Sequence, residues 1–505
     1  MESSRQAPAQ AEAWLDELRA MVGAAHVITD EQTLRWAARD ALGRFRAFGR
    51  LEREARPALA VVRPGDAREV AAVLAWATRR GAAVVPRGAG TGVMGGAVPL
   101  RPAVVLELGR LNGVEVHAGD LAASAGAGAS LQAVNEAAKA HGLMLAHDPW
   151  SLSMATVGGA IATNGMGYLY GRYGTMADQV LAVEVAMADG SLWRSPYGPA
   201  GVPGPDLARL MAGCQGTLGI ITSALLRLWP LPEAQEFRAY RFESFEAGFG
   251  AVQRLLREGV VPAVLDLSDS GPGVPPPSGE TDEGETEEAD DDGPGLAEDR
   301  EVSILILGFL GFSEAVRAEA TRTDRVMRAA GGNYLGSQPA LRYWQARHRV
   351  GEYFRQHIWE RRDLAALDGD ARRFEYINVA LPSSRVLEFR RRAIELASST
   401  PGVVAGETGL WGRPEIFSMV LLTAGVPAAG AAAGDPADHP MDRLVDDLLR
   451  LCQHLGGTME AIHGPGLRLR HLLADAWGPG LRVLRRVKAA LDPAGILNPG
   501  KWGEP

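Results

Sequence analysis

Apolar positions recur with two different periods along this chain. Over residues 58–230, runs of four or five apolar residues alternate with stretches in which apolar residues return every three to four positions, as strands alternating with amphipathic helices require. Leu59-Ala60-Val61-Val62 reads as a strand. Pro64-Gly65-Asp66 reads as a turn whose Asp66 caps a helix from Ala67 to Arg80, with Val70, Val73, Leu74 and Ala77 on one face. Ala82 to Val85 and Val104 to Leu108 extend as strands, Ser130 to His141 as a helix and Leu181 to Met187 as a strand of alternating apolar positions. Near Pro230-Leu231-Pro232 the glycine density falls and the pattern changes, which marks a domain boundary. A β-α unit from Phe237 to Leu256, a strand from Val302 to Leu307 and a helix from Ser313 to Ala330 follow, an order that suits an antiparallel sheet covered by helices.

Two segments break the pattern. Gly271 to Asp299, rich in Pro, Gly, Glu and Asp, has too little apolar surface to offset its ordering entropy and is expected to be a disordered surface loop. Ala424 to Pro440 is a second expected loop. The 505 residues carry a net charge of −9, but Glu280 to Asp292 alone holds nine acidic residues and no basic one, so the acidity is local. No basic stripe with interleaved aromatics points to nucleic acid. The longest apolar stretch, Ser303 to Phe312, falls short of the ~20 residues that span a bilayer. An N-terminus without an export or import pattern leads us to expect a cytoplasmic protein. The two cysteines, Cys214 and Cys452, stand far apart and lack metal-ligand spacing.

The chemistry concentrates in three glycine-bearing loops. Pro86-Arg87-Gly88-Ala89-Gly90-Thr91-Gly92-Val93-Met94-Gly95-Gly96 is a small-residue loop in which backbone N–H groups can converge on an anion. Gly90, Gly92 and Gly95 satisfy G-x-G-x-x-G, yet Pro99, Arg101 and Pro102 lead into a strand rather than the helix that a Rossmann turn must open. Gly495 to Lys501 mimics a P-loop but continues into Trp502 instead of Ser or Thr. A second loop runs from Asp148-Pro149-Trp150-Ser151 to Thr163-Asn164-Gly165-Met166-Gly167, and a third from Gly213-Cys214-Gln215-Gly216 to Ile221-Thr222.

Together with the C-terminal Asp492-Pro493-Ala494-Gly495-Ile496-Leu497-Asn498-Pro499-Gly500-Lys501, these loops resemble, in order and spacing, the FAD-linked oxidases of the vanillyl-alcohol oxidase/PCMH superfamily. The resemblance is strong over residues 55–232 and looser over 233–505. It implies an α+β protein: a helical lead-in (1–54), a PCMH-type FAD-binding domain of two α/β subdomains (55–232), an antiparallel-sheet cap (233–460) and a C-terminal segment (461–505) that returns to the FAD domain. Pro86, Arg87, Gly88, Ala89, Gly90, Thr91 and Gly92 would wrap the FAD pyrophosphate. Pro149, Trp150, Ser151, Leu152, Ser153, Met154, Ala155, Thr156, Gly158 and Gly159, with Thr163, Asn164, Gly165 and Met166, would line the ribityl and isoalloxazine region. Gln215, Gly216, Thr217, Leu218, Gly219, Ile220 and Ile221 would face the adenine or ribose, and Lys501 either contacts the flavin or is a solvated terminal lysine. Members that attach flavin through the first loop carry a histidine where this chain has Thr91, so FAD is expected to be bound non-covalently.

The substrate side is less uniform. His463, in Ile462-His463-Gly464-Pro465-Gly466, stands where the family places a histidine at the flavin face and suits a general base. Arg347, in a helix from Leu341 to Arg349, is the candidate clamp for an anionic substrate; Glu407 and Arg413 are further candidates. The D-lactate, glycolate and D-2-hydroxyglutarate dehydrogenases of this family carry metal-ligating histidines. Here Gly406 to Leu422 has none, and Ile462 stands at the position of their glutamate, so no metal is expected. The alkyl-dihydroxyacetonephosphate synthases place three successive histidines before Gly-x-Gly, of which only His463 remains. Hydride transfer from a small D-2-hydroxy acid to the flavin is therefore the expected activity, with a synthase-like flavoenzyme or a non-catalytic flavin subunit as alternatives. The sequence leaves the electron acceptor and the oligomeric state open.

Overall fold

The computed structural model describes residues 2–42, 55–198, 203–269, 302–363, 373–423 and 440–502. Its first sheet contains β1 (Val27–Ile28), β2 (Ala58–Val62), β3 (Ala83–Arg87) and β4 (Ala103–Glu107) in the order β1-β2-β4-β3. β2, β4 and β3 run parallel, with β1 antiparallel on the edge. Parallel neighbours need a crossover, and the helix Ala67–Arg80 makes it. The Asp66 side chain accepts from the Glu69 N–H at its start, Gly81 ends it at φ 64, and Val70, Val73, Leu74 and Ala77 are all buried.

β5 (Val114–His117), β6 (Ala122–Gly126), β7 (Leu143–Met144), β8 (Val180–Ala186), β9 (Leu192–Arg194), β10 (Ile220–Arg227) and β11 (Trp229–Pro230) follow. A second sheet, antiparallel throughout, has the order β5-β6-β10-β8-β9, while β7 pairs with β11. The β5–β6 hairpin is absent from the sequence reading because β6 is Ala-Ala-Ser-Ala-Gly, a segment of low strand propensity. Its small residues answer to crowding: a Cβ at Gly126 would lie 2.2 Å from the Leu111 carbonyl oxygen.

The third sheet comprises β12 (Ala234–Phe242), β13 (Val264–Ser268), β14 (Ser303–Gly311), β15 (Asn333–Gly336), β16 (Phe374–Ala380), β17 (Val403–Trp411) and β18 (Arg413–Thr423). It is antiparallel, in the order β15-β12-β14-β13-β17-β18-β16. Phe237, Ala239, Val264, Ile306 and Leu310 from this sheet form a small core with Ala340 of the helix Gln338–Ala346 and with Met144, Ala146 and Leu169 of the first half. That core sets the cap against the loops that follow β7.

The C-terminal segment lies along the edge of the first sheet. Leu497 bridges to Val84 in parallel, and Asn498 N–H donates to the Val84 carbonyl at 2.8 Å. The segment's helices Leu473–Trp477 and Pro479–Leu491 are separated at Gly478, which adopts φ 46 ahead of Pro479. The acidic segment Gly271 to Asp299 lies outside the described residues, as does the expected loop from 424 to 439; Pro440 opens the helix Pro440–His454. No helix among the described residues is long and apolar enough to cross a membrane.

Candidate functional site

β3 ends at Arg87, so Pro86 and Arg87 are strand residues and the first loop begins at Gly88. The Arg87 side chain turns inward. Its Nη1 donates to the carbonyls of Ala37 and Arg39, its guanidinium lies 5.5 Å from the Trp359 ring centroid, and burial lowers its pKa to about 10. It braces the loop from below. The carbonyls of Gly90 and Gly92 both accept from the Ala41 N–H, at 3.1 and 2.8 Å. Among the described residues the N–H groups of Gly88, Ala89, Gly90, Thr91 and Gly92 donate to no protein atom. Backbone N–H groups need partners, and a row without one among the described residues, in a small-residue turn, can receive an anion.

The three loops meet. A Cβ at Gly88 would stand 2.2 Å from Thr156 Oγ1, and one at Gly216 (φ 73) 2.3 Å from Pro86 Cγ, so glycine alone permits the approach of the second and third loops to the first. Asn498 Nδ2 donates to the carbonyls of Gly96 at 2.9 Å and Gln215 at 2.6 Å, tying the first loop to the third. Lys501 is neither solvated nor free: its buried Nζ donates to the Gly95 and Val98 carbonyls, and burial pushes its pKa down to about 7. It closes the far end of the first loop. Lys488, which the sequence did not single out, holds the Thr217 and Leu497 carbonyls together with Asp492.

The other residues divide between the cradle and its supports. Thr156 caps the short helix Val157–Thr163, within which Gly158 packs on Ala127 and Thr163 Oγ1 donates to the Gly159 carbonyl. Asn164, at φ 50, accepts from the Ala177 N–H. Gly165 lies against the ring of His147, a buried residue unmarked in the sequence. Leu218, Ile220 and Ile221 are core residues, the last two paired with Ala186 and Val185 across β10 and β8; Thr217 is buried, and Gly219 packs on Val185. Of the third loop, Gln215 and Gly216 alone stay at the junction. Gln215 Nε2, Asn498 Oδ1, His147 Nδ1 and Asp40 Oδ2 are buried without a hydrogen-bond partner among the described residues. Polar atoms left so around one cleft fit a polar cofactor that engages them.

His463 comes to this junction from the C-terminal side. A Cβ at Gly464 would lie 2.7 Å from Gln215 Nε2 and 3.5 Å from the Thr163 carbonyl oxygen, and Ala461 N–H donates to the Asn378 carbonyl of β16 at 3.0 Å. Glu460 turns back beneath the imidazole. Its Oε1 accepts from the Ile462 and His463 N–H groups at 2.7 and 3.1 Å and lies 3.4 Å from His463 Nδ1. Burial raises the Glu460 pKa, but His463 and the two N–H groups outweigh it, so the carboxyl is held below its usual range. The resemblance implies a glutamate at the position of Ile462; in this chain a carboxylate reaches His463 from Glu460.

Just after the second loop, Tyr168 meets aromatic side chains of the cap, one of them bonded to an acidic one. Tyr168 makes edge contacts with Tyr343, His348 and Trp411, and Tyr343 donates to Asp266 at 2.9 Å. Burial raises Asp266 to about 6, and burial with the charges of Asp266 and Asp269 raises Glu407 to about 8. Arg347 lies at the C-cap of the helix Gln338–Ala346; its Nε donates to Asp148 at 2.8 Å, its Nη1 to the Trp344 carbonyl at 2.7 Å, and its face stacks on Trp344. Arg413 donates to the Gly171 carbonyl and covers Tyr170. No group of three or more potential metal ligands is present among the described residues.

Comparison with known proteins fits this arrangement. Residues 58–195 match the FAD binding domain family, and residues 231–502 match the C-terminal domain of the FAD linked oxidases. A D-lactate dehydrogenase of Archaeoglobus fulgidus is 28% identical over 454 residues, 87% of this chain and 90% of that one. The glycolate oxidase subunit GlcD of Escherichia coli is also 28% identical over 454 residues, covering 88% and 83%. Among solved structures, an alkyldihydroxyacetonephosphate synthase superposes with a TM-score of 0.72 at 18% identity, over 96% of this chain and 85% of that one. A substrate-bound p-cresol methylhydroxylase gives 0.72 at 16% identity, over 97% and 96%.

Proposed function

The chain belongs to the FAD-linked oxidases, and from that membership we propose that it dehydrogenates a small D-2-hydroxy acid of the size of lactate or glycolate. It is an FAD-linked oxidoreductase. Bound FAD supplies the hydride acceptor, flavin N5. The N–H groups of Gly88 to Gly92, without partners among the described residues, would hold the pyrophosphate, and a polar cofactor would engage Gln215 Nε2, His147 Nδ1 and Asn498 Oδ1, which are buried without partners among the same residues. The second loop, from Pro149 to Met166, would carry the ribityl and isoalloxazine contacts.

One observation carries the catalytic reading: the buried Glu460 carboxylate at His463 Nδ1. A carboxylate behind one ring nitrogen fixes the tautomer that bears hydrogen there and leaves the other, Nε2, to take a proton. His463 is the general base that removes the substrate hydroxyl proton as the hydride leaves, and Glu460 stabilises the imidazolium that results. Arg347 uses Nε and one Nη1 N–H toward Asp148 and Trp344, and would offer Nη2 to a substrate carboxylate. Two relatives that cover most of this chain are named for lactate and glycolate, which supports the substrate class.

An anaerobic screen tests the proposal. A panel of D-2-hydroxy acids should bleach the flavin band with saturable kinetics; a panel that never bleaches it would remove the dehydrogenase reading. Thr91 stands where a linking histidine would be needed, so acid precipitation should leave a colourless pellet and a yellow supernatant. A yellow pellet would show a covalent bond.

A further inference from the structure

One segment of the cap spans two of the cofactor loops. Gln338–Arg362 contains the helix Gln338–Ala346, the helix Arg349–Phe354 and a π-turn from Arg355 to Trp359, a wide turn often found at functional sites. Its first part sits on the second loop. Arg347 Nε and His348 Nε2 meet the two oxygens of Asp148 at 2.8 and 2.7 Å, and Tyr168 donates to the Arg347 carbonyl at 2.8 Å. A Cβ at Gly351 would stand 2.0 Å from the Trp150 carbonyl oxygen, Phe354 meets the Trp150 ring edge-on at 5.8 Å, and Glu352 bonds Ser153. Its last part sits under the first loop. Trp359 packs on Trp36 at 4.5 Å and on the Arg87 guanidinium, and Arg362 Nη1 donates to Thr33 Oγ1 at 3.0 Å.

We propose that Asp148 and Trp359 are positioning residues: through them the segment Gln338–Arg362 locks the first and second loops in one frame, and bound FAD leaves only when that segment lifts. This rests on the reading that those two loops hold the cofactor. Asp148 is 5% exposed, and its carboxylate is held below its usual range by His348 and Arg347 against the cost of burial. A buried carboxylate that loses its cations is costly, so the contact resists partial opening. Trp359 anchors the other end by ring packing, independent of charge. With no covalent bond to FAD expected, the lock supplies its retention.

The test is the rate of FAD release from holoenzyme after dilution, followed by the rise in flavin fluorescence at a temperature where far-UV circular dichroism shows the chain folded. Asp148→Asn and Trp359→Ala should each release FAD at least tenfold faster than the native chain. A purely structural role would lower the melting temperature and leave release in the folded range unchanged; rates within twofold of native in both variants overturn the proposal. Hydrogen exchange on the unaltered protein gives a second reading: amides of 338–362 should exchange more slowly with FAD bound than in the apoprotein, and equal protection overturns it. Gly88→Val separates the premise from the proposal. Normal FAD affinity in that variant would overturn the loop reading itself, whereas lost affinity with unchanged release in Asp148→Asn and Trp359→Ala overturns the lock alone.

Discussion

Replacing His463 with alanine should slow anaerobic flavin reduction by the saturating substrate by roughly 10²- to 10⁴-fold, the usual contribution of a positioned general base, while the purified protein keeps its full flavin content. The expectation follows from the separation of roles around this residue. Gln215, Gly216 and Asn498 hold the loop junction together through contacts that do not involve the imidazole, and Glu460 is fixed by the N–H groups of residues 462 and 463, which alanine retains. Single-turnover stopped-flow absorbance measures the rate. A variant that reduces its flavin within threefold of the native rate would show that another group takes the proton. Glu460→Gln keeps the same geometry but removes the charge that stabilises the imidazolium, so it should lose less than His463→Ala. A larger loss would mean that Glu460 itself is the base.

The chain's chemistry was legible where local backbone demands wrote it. Gly88 and Gly216 are glycines because another loop's atoms stand where a Cβ would be, and such demands show in a sequence as paired small residues in a fixed order. The helix Ala67–Arg80 and the antiparallel cap were legible from apolar periodicity for the same reason. What the sequence hid depends on long-range contact. Glu460 looks like one acid among many until the turn through Ala461 brings it under His463. Arg347 reads as a substrate clamp from its residue type, and the structure adds that Asp148, 199 positions earlier, holds its Nε. Lysine near a C-terminus usually means solvation, but Lys501 and Lys488 are buried against carbonyl oxygens because the last strand-like residues thread between the first loop and β3. The hairpin of β5 and β6 was hidden in the opposite way: crowding requires alanine and glycine there, and those residues carry no strand signal.

Asp266 and Glu407 lie on the neighbouring strands β13 and β17, where a sheet face that met water would leave them ionised. Burial pushes the pKa of both upward, and at Glu407 the charges of Asp266 and Asp269 add to it.

Arg468→Met should be the most damaging single change to stability, at about 3–5 kcal/mol, the cost of breaking a buried ion pair from one side. Arg468 is 4% exposed and its partner, Glu375 of β16, is fully buried. The pair joins the cap sheet to the loop that carries His463. The same loop is fastened to the first glycine loop by Leu467 and Arg468 N–H groups donating to the Met94 carbonyl at 2.9 and 3.2 Å. Methionine fills the volume and keeps the backbone bonds, but Glu375 loses that counter-charge in a place water does not reach. Urea denaturation of holoenzyme should show the loss as a lower midpoint. Adding Glu375→Leu should recover most of it, since that removes the buried carboxylate whose counter-charge was lost. A double variant no more stable than Arg468→Met would mean that the guanidinium contributes through packing against Met94 rather than through the charge it neutralises.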